Sequence, residues 1–110
     1  MTRSYSGAEI HSMRIRTLNQ DMAVAERLGI SHRFMHMSAL APISRRDHAE
    51  RHGQLFTGEE MLEWWALNDN SVDCRCAAVM VVLNKAGSPY DSNVIARARA
   101  RLEQYLAVTK

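Results

Sequence analysis

The sequence predicts a small α+β domain, with helices packed on a short β-sheet. Three observations point there. Apolar residues recur at helical spacing near both ends of the chain, Ser6 to Glu9 and Thr57 to Glu60 have the form of capping boxes, and two short runs rich in Val, Met and Phe lie between turn clusters. A length of 110 residues suits one domain over 1–110, large enough to bury a modest core without help from metals or disulfides.

The first helix opens at Ser6, and its inward stripe is read as Ile10, Met13, Thr17, Met22, Ala25 and Leu28 before Gly29 stops it. From Ser31 to Ala39 the spacing shortens, Phe34 alternating against Met35 and Met37, which fits a strand. Ala41 to Ser44 breaks it at Pro42. Residues 45–52 can make about two helical turns, with Ser44 as N-cap and Gly53 as stop. Thr57 opens a helix whose Met61, Leu62, Trp64, Trp65 and Leu67 are too dense for a narrow stripe, so it is expected to be buried or to face a partner. Asn68 to Ser71 is a turn cluster, after which Cys74 to Leu83 reads as an apolar strand central to the sheet. Asp91 or Ser92 caps the last helix, which runs to about Leu106 with Val94, Ala98, Leu102 and Tyr105 inward.

Composition narrows the functional classes. Hydrophobic and charged shares of 46% and 24% are those of ordinary globular domains, which disfavours disorder and collagen. No apolar run approaches the roughly 20 residues that cross a bilayer, and residues 1–6 lack the apolar core of a secretory signal, so a cytoplasmic setting is expected. The net charge of +2 is too slight to announce a nucleic-acid binder, and any basic surface must come from clustering.

The chemistry concentrates between residues 45 and 76. His48 and His52 stand four apart, hence on one face of a helix, while Cys74 and Cys76 stand two apart, hence on one face of a strand. Two His and two Cys can hold a structural zinc ion if the two elements pack together. The plain alternative is a pair of buried thiols beside a helix-ending histidine. A disulfide is not expected, because Cα atoms two residues apart in extended chain stand about 6.5–7 Å apart, at the limit of bridgeable geometry. A nuclease or toxin would use His48 as base and His52 as metal ligand with Arg45 on the phosphate, but no residue completes the set. Arg45, Arg46, Arg97 and Arg101 are candidates for non-specific contact with a DNA backbone, against the plain reading of solvated helix faces. Trp64 and Trp65 point about 100° apart on a helix, so one ring is a candidate anchor for a protein partner.

Arg45, His48, Gly53 and Phe56 form an Arg-x-x-His-x-x-x-x-Gly-x-x-Phe run, followed about twenty residues on by Cys74-Arg75-Cys76 at the start of a strand-like segment. With Arg16-Thr17 upstream and Gly29-Ile30 closing the first helix, this pattern over residues 14–83 resembles the C-terminal region of the Mu F-like head-morphogenesis proteins of tailed phages. Leu18 and Arg46 stand where that family commonly has Glu and Pro. The resemblance implies a minor head component without enzymatic activity, partnered by phage portal or capsid proteins and in some cases DNA, in the host cytoplasm or the virion. A small phage-encoded regulator binding a host protein is the alternative within the same setting.

Overall fold

The computed structural model describes residues 6–108, which form α1 (Gly7–Leu28), β1 (His32–Met37), α2 (Arg46–Glu50), β2 (Leu55–Phe56), α3 (Gly58–Ala66), β3 (Ala77–Val82) and α4 (Ser92–Val108). The α+β class is as expected, and both capping boxes form. Ser6 Oγ accepts from Glu9 N while Glu9 accepts from Ser6 N, and Thr57 and Glu60 do the same. In the last helix Asp91 Oδ1 accepts from Asn93 N, satisfying one of the donors orphaned at a helix start.

The strands form one antiparallel sheet in the order β2-β1-β3. β1 is therefore the central strand, and the expectation that the Val-rich strand is central is corrected. The reason is coverage: Phe34, Met35 and His36 are buried in succession, so both faces of β1 are packed, whereas β3 alternates in exposure and lies at the sheet's edge. The cysteines precede β3 in an extended stretch. β2, only two residues long, was not anticipated. It pairs Phe56 with Phe34 and Leu55 with Met35.

Each face of the sheet carries its own core. On one, Leu18, Ile15 and Met22 of α1 and Met61, Leu62 and both tryptophans of α3 pack with Phe34, Phe56, Met80 and the two cysteines. On the other, Val94, Ile95 and Ala98 of α4 pack with Met35, Leu55, Val81 and Leu83. The inward stripe of α1 is turned relative to the expectation. Leu18 and Ala25 are buried and Arg14 is half-buried, while Thr17 is exposed and Leu28 is 62% exposed. The α1–α3 contact leaves no room at Gly58, where a Cβ would stand 1.9 Å from Met22 Sδ.

The short helix α2 also starts differently. Ser44 Oγ accepts from Ala41 N, closing the turn before the helix, and Arg45 occupies the N-cap with no side-chain cap bond. Gly53 takes the expected left-handed conformation, φ +85°, and its N–H donates to His36 O, which joins the end of this segment to the central strand.

Candidate metal centre

The loop between α3 and β3 is bent by three non-glycine residues at positive φ: Asn68, Asp69 and Asp73 at 52°, 56° and 50°. Such backbone is costly and persists only where its surroundings hold it. Here two guanidinium groups do so. Arg45 donates to Asp69 O at 3.0 Å and to Val72 O. Arg14, reaching across from α1, donates to Cys74 O at 2.8 Å and Cys76 O at 2.9 Å, with Ser71 O at 3.5 Å. The Arg14 head also lies over the Trp65 ring, 4.7 Å from its centroid. The part-buried carbonyls of Cys74 and Cys76 thereby gain a charged donor.

With the loop so held, both thiols point to α2. Cys76 Sγ lies 3.7 Å from His48 Nδ1, Cys76 N donates to Cys74 Sγ at 3.4 Å, and all three residues are buried. Their donor atoms lie within 4.8 Å of one another, so His48, Cys74 and Cys76 lie close enough together to bind a metal such as zinc. The expected convergence of these three residues is observed, and both cysteines are free thiols.

The histidine is oriented from behind. Asn70 Nδ2 donates to Trp64 O at 2.8 Å, which leaves Asn70 Oδ1 as an acceptor 3.2 Å from His48 Nε2. Nε2 therefore carries the proton and Nδ1 presents its lone pair to the sulfurs, the arrangement metal-binding histidines use. Arg45 Nη1 also lies 3.2 Å from Nε2, a contact that would require the other tautomer. The Asn70 bond is taken as deciding, since Asn70 Oδ1 can only accept while Arg45 is held on the loop carbonyls. The imidazole packs edge-on against Trp64, ring centroids 4.6 Å apart.

The two thiols shift one another in opposite directions. Cys74 is made more acidic by the Cys76 S–H, by the Cys76 backbone N–H and by Arg14 at 3.4 Å, against the opposing effect of burial. Cys76 is pushed up, first by the Cys74 thiolate it donates to and then by burial. The pair loses its first proton readily and its second with difficulty, unless a cation takes that proton's place. A cavity of about 490 Å³ adjoins the site, lined by the three residues together with Ile43, Arg45, Asp73 and Arg75.

His52 does not join this group. α2 ends at Glu50, so the helical i,i+4 rule no longer governs position 52, and His52 Nδ1 instead accepts from Ser38 N at 3.0 Å. The expected four-ligand set is thus a three-ligand set among the described residues. Trp65 is buried in the core. Trp64 keeps partial exposure inside a stack with His36, His48 and Arg51, the Arg51 carbon 4.2 Å from its ring centroid. Of the four arginines expected at DNA, Arg45 is spent on the loop carbonyls and Arg46 pairs with Glu50 at 2.8 Å, while Arg97 and Arg101 lie exposed on α4.

Arg14, Asn70 and the His36–Arg51 pair were not singled out from the sequence. Arg14 stands four residues before Leu18, so the correct α1 stripe would have turned it inward. Asn70 carries no such signal, because turn clusters are rich in asparagine whatever their role. His36 accepts from Arg51 Nε at 3.1 Å, and burial, then Arg51, hold its pKa down at about 3, so the ring is neutral. No family model, curated protein or solved structure matches the chain.

Proposed function

We propose that the chain is a non-enzymatic binding module of a phage or prophage head, acting with portal or capsid proteins in head morphogenesis. One observation carries the reading: six residues of the Mu F-like pattern, from Arg45 to Cys76, serve one region of the fold. Arg45 holds the loop, His48, Cys74 and Cys76 meet, Gly53 supplies the left-handed turn, and Phe56 pairs with the central strand beneath Arg51. The nuclease reading fares worse, since Arg45 is spent on carbonyls and His48 Nε2 on Asn70.

Zinc is the cofactor we assign to the module, held by His48, Cys74 and Cys76 as a clamp between α2 and the stretch leading into β3. Trp64 is the candidate partner contact, and the exposed Arg97 and Arg101 are the groups that would touch DNA. Location in the host cytoplasm or the virion follows from this role. The test is to co-express the tagged chain with portal and capsid proteins of a tailed phage and sediment the assembled heads. Co-sedimentation is expected. Heads that form without it, together with capture of a single host protein by the same tag, would replace this reading with that of a regulator. Metal-dependent nucleic-acid cleavage abolished by His48→Ala in a folded protein would overturn the non-enzyme assignment.

A further inference from the structure

We infer that the metal site is half-open, its fourth coordination position facing the cavity and taking a small oxyanion, a phosphate or a carboxylate. This rests on the zinc assignment above and names what completes it.

Ligand number comes first. Zinc in proteins takes four ligands, and sites with three protein donors leave the fourth position to an exchangeable group. Among the described residues only His48, Cys74 and Cys76 offer donor atoms within 4.8 Å of one another. Two residues that could have supplied a fourth donor are engaged elsewhere. His52 accepts from Ser38 N, and Asp73 Oδ1 is turned toward the start of α1, where a Cβ at Gly7 would lie 3.5 Å from it.

Access comes second. All three ligands line the cavity of about 490 Å³, a volume in the range of small-molecule sites. The side of the metal that the protein leaves bare therefore meets an open space and not the packed core.

Charge decides the class of ligand. Two thiolates and a neutral imidazole cancel the charge of a zinc dication, so the sign of the site is set by its surroundings. Those are Arg14 on the Cys74 sulfur, Arg45 beside His48 and Arg75 in the cavity wall, against the single carboxylate of Asp73. Water as fourth ligand makes no use of this cationic surplus, whereas an oxyanion does, and more strongly where Ala39, Ala41 and Ile43 keep part of the wall apolar. Arg75 lies between the two cysteines, is exposed and lines the cavity, so its charge adds to that of the cavity wall.

The experiment loads the full chain with Co²⁺ in place of zinc and follows the visible spectrum during titration with acetate and, in a separate arm, inorganic phosphate. Expected are one cobalt per chain, a thiolate-to-metal charge-transfer band, and a saturable change in the ligand-field bands with at least one anion. The arm that responds identifies the source, an acidic side chain for acetate or a phosphoryl group for phosphate. Arg75→Gln should raise the anion concentration needed several-fold while leaving the charge-transfer band in place, and unchanged anion affinity would remove the electrostatic basis of the inference. A thiolate–cobalt spectrum that neither anion moves overturns the open position and leaves the metal site standing. Failure to bind cobalt with a thiolate band overturns the metal assignment and this inference with it.

Discussion

His36 should make the fold sensitive to acid over a defined window. Its ring is fully buried between the sheet and α3, accepts from Arg51, and has its pKa lowered from 6.5 to about 3. In the unfolded chain the same ring protonates near its ordinary value, so below pH 6.5 the unfolded state binds a proton that the native state refuses. The contribution is fully present above that pH and is lost as the pH falls toward the native value. One proton is worth about 1.4 kcal/mol per pH unit, so the loss between neutrality and about pH 4.5 is roughly 2–3 kcal/mol, a large part of a small domain's stability. The assay is urea unfolding of the metal-free protein across this range, wild type beside His36→Gln, whose amide oxygen can still accept from Arg51. His11 and His52 are also lowered by burial and act in the same direction, but they cancel in the comparison. Wild type should lose stability with a slope steeper by about one proton. Equal slopes for the two proteins would show that His36 takes up its proton in the native state.

Three substitutions test the rest of the framework. Gly53→Val puts a β-branched residue at φ +85° with its Cβ 3.2 Å from Ala98 Cβ, and should cost roughly 2–4 kcal/mol, seen as a fall in Tm of about 10 °C or more; an unchanged Tm would mean that the position has ordinary backbone angles. Arg14→Met strips the charged donor from the carbonyls of Cys74 and Cys76 and should destabilise by roughly 2–4 kcal/mol in denaturant unfolding; a loss under about 0.5 kcal/mol would show that water replaces the guanidinium. Asn70→Ala frees the His48 ring and should weaken metal binding about 10–100-fold in chelator competition; unchanged affinity would mean that the Asn70 bond does not orient the ring.

What the sequence disclosed follows from which forces are local. Capping boxes and the left-handed Gly53 are decided within a few residues, so they were legible at Ser6, Thr57 and Gly53. The meeting of His48 with Cys74 and Cys76 was also legible, because the thiols share one side of an extended stretch and unusual side chains of one segment tend to be used together. Strand order was not. The run of valines in β3 resembles a fully buried strand, and only the tertiary cover over Phe34, Met35 and His36 shows that β1 is the one packed on both faces. The ligand count failed at a helix end. His52 would share the face of His48 if α2 ran on two residues longer, and the chain leaves the helix after Glu50. Arg14 gives no sign of its role in the sequence, because charged residues are usually at the surface, while its place is fixed by carbonyls about sixty positions away.

The most direct measurement is zinc-edge X-ray absorption on protein purified without added metal. Expected is about one zinc per chain with two sulfur neighbours near 2.3 Å, one imidazole nitrogen near 2.0–2.1 Å and one further light atom in the fourth position. A protein that carries no zinc and cannot be loaded with it, or a zinc shell without sulfur, would show that His48, Cys74 and Cys76 meet only as packed side chains.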